Sequence, residues 1–138
     1  MSYLLDTNAI SEIRRGRDPN VRAWAAAVND ADLYLSVITL GEIRAGIDRL
    51  KGRDAAQAQL FAGWLGELRK RFADRILTID ARVADRWGQL NAPAARNTVD
   101  SLIAATADVH ELTVVTRNTK DFKDSGVALV NPWEPQPS

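Results

Sequence analysis

Tyr3-Leu4-Leu5-Asp6-Thr7-Asn8 is the stretch of sequence from which the fold prediction starts. Its apolar residues predict a short strand over 3–5. The acid that follows can cap a helix running from about Thr7 to Arg15. A strand that leads at once into a helix is typical of proteins in which parallel strands alternate with helices.

The rest of the chain repeats this alternation of short apolar runs and longer helical segments. Further strands are predicted over 33–37, 76–79, 112–116 and 127–130. Helices are predicted over about 19–28, 39–50, 54–72, 81–90 and 98–110. Three prolines predict a non-helical tail over about 131–138. The pattern favours a single α/β domain over 1–138, a sandwich with a mostly parallel sheet.

Composition excludes several classes of protein. The 138 residues are 46% hydrophobic and 26% charged, which are ordinary globular values. With no cysteine and one histidine, the chain has no disulfide, no thiol nucleophile and no cluster of histidine ligands. No apolar run approaches the roughly 20 residues of a membrane span, and the first residues lack the basic start of a signal peptide. We therefore expect a soluble protein of the cytoplasm.

The basic residues, which balance the acidic ones, are mostly arginine and are clustered. The clusters comprise Arg14, Arg15, Arg17 and Arg22; Arg44, Arg49, Lys51 and Arg53; and Arg69, Lys70, Arg71 and Arg75. Arginine binds phosphate well, so the clusters could form a basic rim around a site for a polyanion. Solvated helix faces explain any single cluster more simply.

Acidic and amide side chains follow the predicted strands, where an open parallel sheet binds its ligands. Asp6 follows the first strand, and Glu42 lies one helical turn beyond the second. Asn118 and Asp121 follow the fourth strand. Asp100 lies in the first turn of the helix that leads into the fourth strand. The sheet edge is therefore the expected site.

Taken singly, each acid is better interpreted as a helix cap. Thr39-Leu40-Gly41-Glu42 matches a capping box, in which Glu42 would bond back to the amide of Thr39. Asp6 could cap its helix, and Asp100 would interact favourably with a helix N-terminus. Asp80, after the third strand, has no acidic neighbours in the pattern and serves as the comparison.

Convergence of the acids favours a second interpretation. Three or four carboxylates in one crevice repel one another unless a cation compensates their charge. Oxygen ligands of this kind suit hard ions such as Mg²⁺ or Mn²⁺. The sequence therefore predicts a divalent metal site, with Asp80 outside it.

Four segments together resemble the PIN-domain ribonucleases, most closely the VapC and FitB-like toxins of type II toxin–antitoxin pairs. They are Tyr3-Leu4-Leu5-Asp6-Thr7-Asn8, Gly41-Glu42, Val99-Asp100-Ser101-Leu102-Ile103-Ala104-Ala105-Thr106-Ala107 and Thr116-Arg117-Asn118-Thr119-Lys120-Asp121-Phe122. The resemblance implies a PIN-like three-layer sandwich, whose five-stranded parallel sheet has the order 3-2-1-4-5 and is flanked by helices.

The resemblance also implies roles for individual residues. The acidic metal ligands of the family match Asp6, Glu42, Asp100 and Asp121. Thr7 and Thr116 match small hydroxyl positions that orient the ligands or a water molecule, and Asn8 and Asn118 are expected beside them. Many relatives carry an acid where this chain has Asn118.

The implied activity is endoribonuclease cleavage of RNA by a water molecule that Mg²⁺ or Mn²⁺ activates, inhibited by a cognate antitoxin. One alternative is a PIN-fold module that binds RNA or protein without catalysis. Another is a phosphatase with an aspartyl nucleophile. The phosphatase is disfavoured because position 8 is asparagine, whereas such enzymes usually carry a second acid there.

Expected partners follow from the resemblance and from one apolar helix face. The helix over about 54–72 carries Leu60, Phe61, Trp64, Leu65, Leu68 and Phe72. Either this face is buried in a helical hairpin, or part of it stays exposed as an interface. Because the relatives form symmetric dimers, we expect a homodimer. Part of the 60–68 face would then form a groove for an apolar antitoxin helix, whose basic side chain reaches the carboxylates. The antitoxin could also link a larger assembly to DNA.

Overall fold

The computed structural model describes residues 1–137, so Ser138 at the end of the predicted tail lies outside the described residues. The strands are β1 (Tyr3–Leu5), β2 (Leu33–Ser36), β3 (Ile76–Leu77), β4 (Thr113–Val115) and β5 (Leu129–Val130). The helices are α1 (Thr7–Arg15), α2 (Pro19–Ala27), α3 (Val37–Leu50), α4 (Ala55–Arg71), α5 (Ala81–Asn91), α6 (Thr98–Val109) and α7 (Thr119–Phe122).

The strands of the described residues form one parallel sheet in the order β3-β2-β1-β4-β5, as predicted. The central strand β1 pairs on both sides, with Leu4 opposite Tyr34 of β2 and Val114 of β4. Since the strands are parallel, their carboxyl ends lie at one edge of the sheet. The residues after β1, β2 and β4 are therefore brought to the same side of the molecule.

Helices cover both faces of the sheet, which gives three layers. Neighbouring side chains of a strand point to opposite faces, so Leu5 belongs to one apolar core and Leu4 to the other. The core containing Leu5 packs against α1–α4, whereas the core containing Leu4 packs against α5–α7. The four tryptophans belong to or pack against these cores.

Element boundaries differ from the predictions at the strand ends. The second strand ends at Ser36 rather than at position 37, because the Ser36 hydroxyl accepts a hydrogen bond from the amide of Ile38 and caps α3. Helix α3 thus begins two residues before the predicted start at Thr39. The third, fourth and fifth strands are also shorter than predicted.

Helix α4 packs one of its faces on the core. Leu65, Leu68 and Phe72 just beyond its end are buried, and Phe61 and Trp64 are half-buried. Leu60 is 62% exposed. The two alternatives for the predicted 60–68 face thus each hold for a part of it: Leu65 and Leu68 are buried, whereas Phe61 and Trp64 line a groove between α1, α3 and α4.

The C-terminal segment folds back onto α2. The carbonyl oxygen of Trp133 accepts a hydrogen bond of 2.8 Å from the Asn20 side chain. The Trp133 ring packs against the core of α1–α4. Among residues 1–137, no helix is both long enough and apolar enough to cross a membrane.

Candidate active site

Asp6 lies where β1 ends and α1 begins. Its backbone N–H donates to Val115 on β4, which ties the end of β1 to its neighbour. The carboxylate Oδ1 accepts a hydrogen bond of 2.8 Å from the amide of Ala9, so Asp6 caps α1 as predicted. The side chain is nonetheless only 8% exposed, which is unusual for a surface cap.

Glu42 is bonded to a different partner from the one predicted. Because Ser36 caps α3, Glu42 lies in the second turn and makes no capping box with Thr39. Its Oε1 instead accepts a hydrogen bond from the Thr7 hydroxyl, in the first turn of α1. This bond joins the helices that follow β1 and β2.

Asp100 projects from the first turn of α6, as predicted. The cap of this helix is Asn97, whose Oδ1 accepts a hydrogen bond of 3.0 Å from the amide of Asp100. The Asp100 carboxylate is therefore not needed as the cap. Asn97 also lines the cavity that these acids share, although the sequence around it indicated only a helix cap.

The loop after β4 completes the arrangement. Thr116 is fully buried, and its hydroxyl bonds to the Asp6 carboxylate while accepting a hydrogen bond from the amide of Asn118. The Asn118 carbonyl then accepts from the amide of Asp121 in α7. Thr116 thus orients both Asp6 and the loop that carries Asp121.

A cavity of about 260 Å³ opens between these elements at the carboxyl edge of the sheet. Its lining residues are Asp6, Thr7, Asn8, Glu42, Asn97, Val99, Asp100, Ile103 and Asn118. The predicted site residues that line it come from α1, α3, α6 and the loop after β4. Thr116 lies behind Asp6, and Asp121 lies outside the lining. We call this space the acidic cavity.

The acids influence one another's protonation. Burial raises the pKa of Asp100, and the charges of Asp121, Asp6 and Glu42 raise it further. Burial is also the largest cause of the raised pKa of Asp6, to which Glu42 contributes, while hydrogen bonds from Thr116, Ala9 and Asn8 oppose the shift. All four predicted acids are therefore close enough to interact, including Asp121.

Asp80 behaves as an ordinary cap. Its Oδ1 accepts a hydrogen bond of 3.0 Å from the amide of Val83 at the start of α5. That hydrogen bond lowers the pKa of Asp80, and the nearby Arg82 guanidinium lowers it further. Asp80 is also absent from the lining of the acidic cavity.

The donor set in the acidic cavity suits a hard divalent ion. The available ligands are carboxylate, amide and hydroxyl oxygens, without sulfur or imidazole, which favours Mg²⁺ or Mn²⁺ over Zn²⁺. Within residues 1–137, no three acidic or histidine side chains are already gathered into a coordinating group. Mg²⁺ commonly uses one or two carboxylates and keeps several waters, so it does not require three protein ligands that are already gathered.

An apolar groove of about 200 Å³ adjoins the acidic cavity. It lies between α1, α3 and α4 and is lined by Thr7, Ser11, Glu42, Ile43, Gly46, Ile47, Leu50, Phe61 and Trp64. Thr7 and Glu42 line both spaces, so their hydrogen bond forms the wall between them. An occupant of the groove would therefore touch the acidic cavity.

Several of the clustered arginines have structural partners. Arg71 and Arg75 pair with Asp30, and Arg75 also donates to the Leu33 carbonyl. Arg14 lies over the rings of Phe61 and Trp64, at 4.7 and 5.1 Å from their centroids. These contacts favour a structural role for Arg14, Arg71 and Arg75 over a place in a basic rim.

The chain belongs to the PIN domain family, whose model matches residues 3–126. It is 40% identical to Toxin FitB of Neisseria gonorrhoeae over 94% of this chain and 97% of the toxin. It is 37% identical to VapC ribonuclease Y4jK of Sinorhizobium fredii over 96% and 98% of the two chains.

Solved structures give the same result. The chain superposes on a chain of FitAcB from Neisseria gonorrhoeae with a TM-score of 0.87 and 37% identity, over 96% of this chain and 99% of the other. A chain of FitAB bound to an IR36 DNA fragment gives a TM-score of 0.88 and 34% identity, over 98% of each chain. The family and fold expected from the sequence are thus confirmed.

Proposed function

We propose that this protein is a metal-dependent endoribonuclease and the toxin of a toxin–antitoxin pair. The observation that carries the proposal is the convergence of Asp6, Glu42, Asp100 and Asp121, whose charges act together on Asp100. Such repulsion is costly to keep in a folded protein unless a cation offsets it. The similarity to a VapC ribonuclease and to Toxin FitB supports RNA as the substrate.

The four acids would hold one or two Mg²⁺ or Mn²⁺ ions. When bound, the ion would lower the pKa of a water molecule and offset the charge on the leaving oxygen. Thr116 keeps Asp6 oriented toward the cavity, and Thr7 fixes Glu42. Asn8 and Asn118 offer polar groups at the cavity wall, where they can orient water or the scissile phosphate.

A binding module without catalysis remains the main alternative. Clustered carboxylates repel a polyanion, so a protein that only binds RNA gains nothing from them. An aspartyl phosphatase is disfavoured because Asn8 stands where a second acid is required. The acidic cavity therefore favours hydrolysis of RNA through a bound cation.

Cleavage of single-stranded RNA by the purified chain tests the proposal. We expect cleavage with Mg²⁺ or Mn²⁺ and none in excess EDTA, because the proposed mechanism activates water through the bound ion. The Asp100→Asn variant should be inactive, while Asp80→Asn should cleave like the wild type. RNA binding without cleavage at any metal concentration would favour the binding module, and cleavage in EDTA would contradict the metal mechanism.

We also propose that an antitoxin helix occupies the apolar groove. The structures of FitAcB and of FitAB bound to DNA support such a partner and a larger assembly that reaches DNA through it. The groove is apolar along its length and acidic at the end formed by Glu42. An apolar helix with one basic side chain matches both features, and that side chain would compete with the metal. A homodimer is proposed on the resemblance alone.

Filling the groove tests this partner. A Cβ at Gly46 would meet nothing within 4 Å, so Gly46→Leu should fold and project into the groove. We expect the cognate antitoxin to inhibit Gly46→Leu at least tenfold less well than the wild type. Gly63→Leu, on the exposed side of α4 with equal free space, is the matched control. Equal inhibition of both variants would place the antitoxin elsewhere.

A further inference from the structure

Arg117 lies in the loop that shapes the acidic cavity. It stands between Thr116, which bonds to Asp6, and Asn118, which lines the cavity. Its guanidinium carbon lies 5.6 Å from the centroid of the Trp133 ring. A cation within about 6 Å of a tryptophan face is held by the ring's electrostatic quadrupole. The Arg117 side chain is thus positioned although it is exposed.

The tryptophan beneath Arg117 is itself fixed at three points. The backbone N–H of Trp133 donates to Asn131 Oδ1 at 3.0 Å, and its carbonyl accepts from Asn20 on α2. Its ring packs against the core of α1–α4. A ring held in this way is a firm platform, so Arg117 loses little freedom when it binds a ligand.

The hydrogen-bond donors of Arg117 remain available. The cation–π contact with Trp133 needs no acceptor atom, so it occupies none of the five N–H donors of the guanidinium. Among residues 1–137, no acid forms an ion pair with Arg117 and no acceptor takes a hydrogen bond from its side chain. Arg71 and Arg75, by contrast, are paired with Asp30. Arg117 therefore combines a fixed position with free donors.

The acidic cavity also creates a need for such a group. Carboxylates that attract a metal ion repel the phosphates on either side of the scissile one. A planar cation in the loop next to the cavity, outside its lining, can bind such a phosphate through two hydrogen bonds and offset this repulsion.

We propose that Arg117 binds an RNA phosphate next to the scissile one, and that Trp133 is a positioning residue that acts through Arg117. This inference rests on the proposed ribonuclease function. The ligand is the phosphodiester backbone, so Arg117 contributes affinity without selecting a base sequence.

The test uses the full chain and a single-stranded RNA oligonucleotide. Arg117→Ala should raise KM about tenfold with little change in kcat, the loss expected for one charge-assisted phosphate contact. RNA binding is measured by fluorescence anisotropy in the Asp100→Asn background, where no cleavage occurs. There, Arg117→Ala should make the log–log salt dependence shallower by about 0.7, the value for one phosphate contact to a single strand.

Substitutions of Arg117 and Trp133 distinguish the charge of Arg117 from its positioning by Trp133. Arg117→Lys should have the salt dependence of the wild type, because the positive charge is kept. Its KM should stay raised, because an ammonium group cannot bind a phosphate through two parallel hydrogen bonds. Trp133→Leu should raise KM about threefold, whereas Trp133→Phe, which keeps an aromatic ring, should have the KM of the wild type. In combination with Arg117→Ala, neither substitution should raise KM further. Arg69→Ala removes an exposed arginine near the end of α4, on the side where β3 begins, and should change nothing.

An unchanged KM and an unchanged salt dependence in Arg117→Ala would overturn the proposal, and this variant removes only an exposed side chain. Full additivity of Trp133→Leu and Arg117→Ala would refute the positioning role. Weaker inhibition of Arg117→Ala by the cognate antitoxin, with normal RNA binding, would overturn the proposal and make Arg117 a contact for the antitoxin instead. If the wild type fails to cleave RNA, the ribonuclease function fails, and the anisotropy measurements still decide whether Arg117 binds the backbone.

Discussion

Asp6 and Asp80 have almost the same local structure and opposite electrostatic environments. Each follows a strand, precedes a helix and accepts a hydrogen bond from the third residue of that helix, at 2.8 and 3.0 Å. The pKa of Asp6 is raised by burial and by Glu42, whereas the pKa of Asp80 is lowered by its cap bond and by Arg82. A cap therefore does not exclude a functional role.

What distinguishes the two acids is their place in the sheet. Asp6 follows the central strand β1, so residues after β2 and β4 surround it, and Thr116 and Glu42 reach it from both sides. Asp80 follows the edge strand β3, where its charged neighbour is the exposed Arg82. Topology gathers several acids around Asp6, whereas Asp80 at the sheet edge has only the arginine that its own sequence supplies two residues later.

The largest expected effect is on catalysis. Asp6→Asn and Asp100→Asn should each lower RNA cleavage by about a hundredfold or more, because loss of a metal ligand exceeds the 10- to 100-fold typical of groups around the ligands. Asp80→Asn should leave kcat/KM unchanged. Cleavage rates with Mg²⁺ measure all three, and an equally inactive Asp80→Asn would remove the distinction between the two regions.

A smaller effect is expected at the wall of the acidic cavity. Thr7→Val keeps the side-chain shape but removes the hydroxyl that donates to Glu42. We expect activity to fall about tenfold, since a hydrogen bond to a charged group contributes roughly 1.5–3 kcal/mol. Thr98→Val at the start of α6 removes a hydroxyl outside the cavity lining and should be neutral. An unchanged cleavage rate in Thr7→Val would show that catalysis does not depend on the hydrogen bond from Thr7 to Glu42.

The effect of pH on stability should be the smallest and should differ in sign between the two acids. Without metal, the raised pKa of Asp6 and of Asp100 means that the folded chain holds their protons more tightly than the unfolded chain. Their contribution to stability is present below the ordinary value of 3.8 and is lost as pH rises through the raised pKa. The lowered pKa of Asp80 gives a contribution that is present above 3.8 and is lost as pH falls through the lowered pKa.

Urea unfolding from pH 7 to well below the ordinary value of 3.8 measures this difference. The stability of Asp6→Asn relative to the wild type should be greatest near pH 7 and should shrink toward low pH, where the wild-type carboxyl group is protonated. Relative to the wild type, Asp80→Asn should be slightly less stable at pH 7 and recover at low pH. If the free energy of unfolding changed with pH in the same way for both variants, the environments of Asp6 and Asp80 would not differ.

Much of the acidic cavity could be predicted from the sequence, because the acids follow strands and parallel strands end at one edge. The partner of Glu42 could not, since Thr7 is 35 positions away and the T-x-x-E pattern indicated a capping box. Ser36 caps α3 in place of Thr39, because its hydroxyl accepts a hydrogen bond from the amide of Ile38. Which part of the 60–68 face is buried could not be predicted, because helical periodicity does not show which partner covers an apolar face.

Binding of Mn²⁺, measured by thermal unfolding of the metal-free chain, tests the central claim most directly. A ligand at a hundred times its Kd stabilises the folded state by about 2.7 kcal/mol, which is several degrees for a domain of this size. We predict this stabilisation for the wild type and for Asp80→Asn, and its loss in Asp6→Asn and Asp100→Asn. Equal stabilisation of all four proteins, or none in the wild type, would contradict a metal site at the carboxyl edge of the sheet.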